Sequence, residues 1–425
     1  MMKRGPIIGV VGLGTAGTAA ALLLARRGAR VRIFEKTPKE KIEQPAGAGI
    51  GIQPIGLTVL KRLGLLEPVL VHGHRIDRLH SVTETGTTVL DLAYADFRPE
   101  LFGVGLHREV LFHALHGAAK NEENIEIEYG VDVAGLECAG ADGAVENAVL
   151  NSSGERHGPF DLLIVADGRR SIARTTSAKA MEYHYPFGCL WAILPDDDGS
   201  FVNEPALQQV LSSNSAHEML GFLPCGRTPF GQDKLVSLFW SLEMSQVNEV
   251  RSKGLDSWKE RVLALEPKAA GLLSHVQTFD DLISAAYSDT FMPKLAHGHS
   301  TVFLGDCAHA TSPQLGQGAN LALVDAWQLD RSMQACDDDP NRGVWHYDDA
   351  RRWRLRFYQL NSRALTPVFQ SHSKVVGTLR DWVMGPMCFF PPTRRMMLTT
   401  LVGAQRNGIP YMTIPEEEYM GFTRP

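Results

Sequence analysis

The sequence predicts an α/β protein: a sheet-and-helix domain split by a β-rich insertion and closed by a helical C-terminal region. Three observations predict it. The first 35 residues read strand, Gly-rich turn, helix, strand. The stretch from about 179 to 288 changes to candidate strands separated by polar turns. The chain then returns to an apolar strand and a Gly-rich turn at 301–320 before its helical end.

The opening unit, IIGVVGLGTAGTAAALLLARRGARVRIFE (7–35), carries Gly12, Gly14 and Gly17 in G-x-G-x-x-G spacing between an apolar strand and an Ala/Leu helix. Gly12 permits a tight turn, Gly14 lets backbone approach a pyrophosphate, and Gly17 lets helix and strand pack closely. The helix start at Thr15-Ala16 favours negative charge. Glu35, 18 residues past Gly17 and next to Lys36, ends the second strand, where an acid accepts from ribose hydroxyls. This is a Rossmann-like dinucleotide site, and the acid suits NAD or the AMP half of FAD equally.

Next comes GAGIGIQPIGLTVLKRLGL (47–65), whose small residues suit a flat ring or a plain linker, with Pro54 opening a helix. Residues 75–93 alternate about a TETG turn and read as a hairpin. LHREVLFHALHGAAK (106–120) reads as a helix with Arg108 in its first turn, where the helix dipole disfavours a cation unless it meets a ligand or solvent. DLLIVADGRRSIAR (161–174) reads as a buried strand ending at Asp167-Gly168, followed by a Ser-led helix start. The stretch GDCAHATSPQLGQGAN (305–320) again sets an acid, Asp306, at a strand end, then proline, glycines and a helix opening near Ala319.

Bulk properties exclude several classes. A length of 425 residues implies more than one domain. A net charge of -6 argues against nucleic-acid binding. No apolar run reaches membrane-spanning length. The six cysteines form no CxxC pair, which fits reduced, cytoplasmic usage. The acidic runs at 196–198 and 337–339 lack calcium-loop spacing, the His pairs lack further ligands, and no metal site is expected. No nucleophile-elbow motif occurs.

GLGTAG with Glu35, ADG at 166–168, and GDCAHATSPQLGQGAN, in that order, resemble the flavoprotein monooxygenase family typified by para-hydroxybenzoate hydroxylase, the single-component aromatic hydroxylases. The resemblance spans roughly residues 7–330. It implies a Rossmann-like FAD-binding domain with an inserted β-rich substrate domain and a helical C-terminal region. Gly12, Gly14, Thr15, Ala16, Gly17, Glu35 and Lys36 would hold the ADP half of FAD. Val133 would meet the adenine, and Arg108 and Gly51 would lie by the cofactor. Asp167 would serve FAD and NAD(P)H. Asp306 would take a ribitol hydroxyl, Pro313 to Gly318 (with Gly316) would line the flavin, and Gly318, Ala319 and Asn320 would point amides at its N1/O2 edge.

The implied activity is NAD(P)H-driven hydroxylation of an aromatic small molecule by molecular oxygen, through a flavin C4a-hydroperoxide. The alternatives on this fold are an FAD-dependent reductase or dehydrogenase and a flavin-dependent halogenase, the latter because WAILP (191–195) partly matches that group's Trp-x-Trp-x-Ile-Pro element. Expected domains are 1–72, 101–178 and 289–365 for FAD, 73–100 and 179–288 for substrate, and 366–425 as a helical C-terminal segment. That segment reads as a tail on the FAD domain, with an active-site cap, a dimer contact or a membrane surface as its other uses. Candidate substrate residues are Tyr183, His184, Tyr185, Trp191, His217, Phe222, Trp240 and Gln53, with His217 and Tyr185 as the catalytic candidates beside Pro313.

Overall fold

The computed structural model describes residues 5–42, 47–138, 146–172, 180–406 and 412–423. The helix start read at 171–174 runs into residues outside that set. Strand Ile7–Val11, helix Thr15–Ala25 and strand Arg30–Glu35 form the opening unit. Six strands make its sheet, in the order Ala296–His297, Thr301–Phe303, Leu162–Val165, Ile7–Val11, Arg30–Glu35, Ile125–Tyr129, all parallel except the first. Register aligns Phe303, Val165, Val11 and Phe34 in one row. The turns at 12–14, 166–168 and 304–306 therefore leave the sheet side by side at its carboxyl edge, where open α/β sheets take ligands.

The hairpin read at 75–93 forms strands Arg78–Thr83 and Thr88–Ala93, which pair antiparallel. They join Ile283–Phe291, Met181–Pro195, Leu235–Glu243, Met219–Gly226 and Ala206–Leu211 in a seven-stranded sheet. The stretch read as β-rich also holds helices Val247–Lys253, Leu255–Leu265 and Ala270–Leu273. Trp258, Val262 and Leu265 from these helices close a separate core on one sheet face with Leu190, Phe222, Leu238 and Trp240. A third sheet of Gly49–Ile52, Gly103–His107 and His74–Ile76 lies between the two larger ones, with Gly105 tight against Pro224.

The C-terminal region is helical: Pro340–Phe369, Lys374–Phe389 and Pro391–Val402. The first of these lies along helix Gly318–Ala335 and buries three of its charged residues, Asp348, Arg351 and Arg354. Asp325, on the partner helix, is 0% exposed and accepts from the Gly305 amide at 2.8 Å, from His309 Nε2, and from Arg351 Nε at 2.9 Å. Among the described residues no helix is long and apolar enough to cross a membrane.

Burial opposes ionisation of Asp325, but the charges of His309 and Arg351 and the bonds from His309 and Gly305 hold its carboxyl down at about 2. A depressed native pKa means stabilisation that is complete above about pH 4 and lost as pH falls through about 2. Asp325→Asn is expected to cost about 3 kcal/mol or more, by stranding Arg351, and to flatten this acid limb. Urea denaturation followed at neutral and acid pH checks both.

Candidate functional site

Two glycines of the first turn are demanded by packing. Gly12 has φ +100°, and a Cβ there would stand 2.5 Å from Ala166 O; one on Gly17 would stand 2.3 Å from Gly12 O. Gly14 differs, because the nearest atom to its Cβ position is Ala166 O at 4.0 Å. The space above Gly14 lies over a helix start with no side-chain cap, at Thr15-Ala16. Glu35 turns its carboxylate to this place, accepting from Leu13 N at 3.0 Å and Thr37 N at 2.9 Å, with exposed Lys36 between. Val131 N donates to Glu35 O, so the segment entering the strand at Val133 runs beside Glu35.

Asp167 follows on the adjoining strand, its Cα 3.0 Å from the Gly12 Cβ position. Its Oδ2 accepts from Ile172 N at 2.8 Å, while Oδ1 is buried with no hydrogen-bond partner among the described residues. Burial pushes this carboxyl up, against hydrogen bonds from Ser171 and Ile172 and the charge of Lys36.

The 305–320 segment divides residue by residue. Asp306 is the one residue of 301–310 that is not buried. Pro313, Gly316 and Gly318 are exposed, while Ser312, Gln317 and Asn320 point back into the protein. Ser312 N donates to Asp289 Oδ1 at 2.9 Å, and its hydroxyl meets those of Ser362 and Thr366. Gln317 Nε2 donates to Thr400 O and Leu401 O. Asn320 Oδ1 accepts from Gln53 N at 2.8 Å, and its Nδ2 donates to Gly51 O at 3.0 Å and Gly316 O at 3.2 Å. One amide thus fastens strand Gly49–Ile52 to the loop. Gln53 Nε2 lies 3.6 Å from the Gly51 Cβ position and 4.0 Å from that of Gly316, so both glycines face one space, and nothing lies within 4 Å of the Gly318 Cβ position. Ala319 is half-buried in the first turn of helix Gly318–Ala335. Arg108 is exposed at the start of helix Arg108–Lys120, its stem against Gly47.

Strand alternation sorts the remaining candidates. Ser237 touches Gly49, so the sheet face holding Ser237 is turned toward the glycine strand. Trp191 pairs with Phe239 on that same face, two residues from Ser237. Phe222 and Trp240 occupy the opposite face, Phe222 stacked on Phe201 and Trp240 Nε1 bonded to Glu218, so neither reaches the site. Phe239, rather than its neighbour Trp240, shares the face of Ser237, and only the strand's parity distinguishes the two. Tyr183 and His184 are exposed, Tyr183 beneath Arg363. Tyr185 donates its hydroxyl to Asp289, the same carboxylate that holds Ser312 N. Desolvation and the Asp289 contact both raise the Tyr185 pKa. His217 sits exposed on the turn between Ala206–Leu211 and Met219–Gly226, its Nδ1 against Ser215 Oγ, and the fold does not bring it to the glycine-faced space.

A family model described as FAD binding domain matches residues 6–351. The chain is 26% identical over 376 residues to 3-amino-4-hydroxybenzoate 2-monooxygenase of Streptomyces cremeus, covering 87% of this chain and 89% of that one. It is 27% identical over 357 residues to 6-hydroxynicotinate 3-monooxygenase of Bordetella bronchiseptica, covering 78% and 84%. HpxO of Klebsiella pneumoniae, solved with FAD and uric acid, has the same fold at TM-score 0.75 and 17% identity, over 94% of this chain and 97% of that one.

The glycines predict two distinct failures. Gly14→Val is expected to leave a folded protein with at least tenfold weaker dinucleotide affinity. Gly12→Val is expected to lose the fold itself, since positive φ and the Ala166 carbonyl both oppose a side chain. Circular dichroism and retained cofactor, measured on both variants, separate the two.

Proposed function

The chain belongs to the FAD-binding domain family and is an FAD-dependent, NAD(P)H-using monooxygenase, and from that premise we propose that it hydroxylates a flat, electron-rich aromatic or heteroaromatic molecule held between the glycine-faced space and the Trp191–Phe239 face. The observation that carries this reading is the Asn320 fastening, which sets Gly51 and Gly316 about one space bordered by the Gln53 amide. The relatives' names support the ring class, one acting on an aminohydroxybenzoate and another on a hydroxynicotinate.

The residues present fit FAD. Gly14 leaves room over a helix start, Glu35 is aimed by two amides, Asp167 Oδ1 is buried and unmatched among the described residues, and Asp306 is half-buried where the rest of its stretch is buried. In this reading Gly12 to Gly17 and Glu35 take the ADP half, with Lys36, Val133 and Arg108 beside it. Asp306 accepts from a ribitol hydroxyl, and Gly51, Gly316 and Gly318 border the flavin ring. FAD, when bound, takes electrons from NAD(P)H and activates oxygen for transfer to the substrate ring.

The chain's own part is placement and electrostatics. Amides at Gly318, Ala319 and Asn320 open an 18-residue helix and favour negative charge in front of them. Pro313, with no N–H, and the aromatic pair give a wall that keeps water out. Tyr185 works from behind: it keeps its proton at neutral pH and, through Asp289, steadies Ser312 next to Pro313. His217 takes no part in the chemistry.

Two measurements test this. In an anaerobic titration, NADPH or NADH is expected to bleach the bound flavin, faster with an aromatic ligand present; a flavin that neither nucleotide reduces would sink the proposal. Phe239→Ala is expected to keep its FAD and raise KM for the ring substrate roughly tenfold, the size of about 1.4 kcal/mol of lost contact. An unchanged KM would remove Phe239 from the substrate wall.

A further inference from the structure

Helix Lys374–Phe389 is built inside out. Among its exposed positions only Lys374 carries a charge; the others include Val375, Leu379, Trp382, Val383 and Phe389, with Trp382 76% exposed. Its charged pair is turned inward: Arg380 is 2% and Asp381 8% exposed. Arg380 donates to Ser212 O at 2.8 Å and to Asp381, and Asp381 accepts from Asn214 N at 2.7 Å. A helix facing water shows the opposite pattern. The positions 375, 379, 382, 386 and 389 fall on one line along the helix, and with Phe390 the apolar row runs about 22 Å.

We propose that this row is the surface through which two copies of the chain pair. Its exposed side chains present on the order of 700 Å² of apolar area, close to the roughly 800 Å² per partner of a stable interface and above the largest patch of a typical monomer. Its composition, aromatic and aliphatic without charge, is that of an interface core. A bilayer is the poorer occupant. A helix lying on lipid keeps a Lys/Arg-rich face toward the headgroups, whereas here the polar face is buried in the protein. The chain also carries a net charge of -6, which anionic lipid repels. A two-fold axis near Trp382 lays the two helices antiparallel in a self-complementary contact. The pairing covers the helix whose Met384 packs with Val89, Met219 and Phe369, the cluster on which Phe239 rests. The inference does not depend on the substrate reading.

Sedimentation velocity of the FAD-loaded full chain across the micromolar range tests it. The expected species has about twice the 46.7 kDa chain mass, and Trp382→Glu is expected to weaken its association at least tenfold while retaining FAD. If the Trp382→Glu chain loses FAD, Trp382→Cys with a short bis-maleimide decides: chain-to-chain cross-linking supports the pairing, and its absence overturns it. A monomer at every concentration overturns it, as does a dimer indifferent to Trp382→Glu. Monomers that co-sediment with phosphatidylcholine–phosphatidylglycerol vesicles, and lose this with Trp382→Glu, also overturn it and give the face to a membrane.

Discussion

Asp325 accepts from the Gly305 amide, the His309 ring and the Arg351 guanidinium, and it is fully buried. Gly305 needs its positive φ of 68° to bring that amide in, and the turn it makes leaves Asp306 outward and Cys307 and His309 inward. The same carboxylate binds the long helix Pro340–Phe369 through Arg351. That helix in turn carries Ser362 and Thr366 to Ser312. One buried charge therefore sets where the third turn leaves the sheet and where its loop is supported from behind. A neutral, water-filled substitute would satisfy fewer of these donors, and each unmatched one would cost free energy in a dry interior.

A second fastening works across sequence rather than along it. Asn320 joins residues 51 and 53 to residue 316, and Gln53 meets Tyr94, so three distant segments share a short chain of hydrogen bonds. The glycines at 51 and 316 serve this geometry by leaving space, while Asn320 supplies the rigidity they lack. Rigid support beneath a surface free of side chains is what lets a planar ligand be held in a fixed orientation.

Much of the FAD-side architecture was legible because it obeys local rules. Strand–glycine–helix spacing at 7–17, the acid at Glu35, and the aligned acids Asp167 and Asp306 all follow from period and turn chemistry. The inward charges of Pro340–Phe369 were not legible, because Arg351, Arg354 and Asp348 look in sequence like a solvated face and are buried only by tertiary pairing. The helices at 247–273 were missed although Trp258, Val262 and Leu265 keep helical spacing; the strands on either side set the reading of the whole stretch. The wall opposite the glycines was half legible. Trp191 lies on the face turned toward the glycine strand, as Phe239 does, but a strand's sequence does not say which parity faces inward, and Trp240 stands out more than Phe239 for that reason.

The six-stranded sheet also has a consequence for how the chain is made. Strand Ile7–Val11 takes one neighbour at once, Arg30–Glu35, but its other side waits for Leu162–Val165, and that strand waits for Thr301–Phe303. Between these last two, the ribosome delivers most of the seven-stranded sheet, whose face against the 247–273 helices closes a core of its own. The inserted unit can thus compact while the first-made sheet still has a raw edge, open to pairing with other chains or to a chaperone. The segment 301–325 ends that exposure, because its strand seals the edge and Asp325 locks the turn that follows.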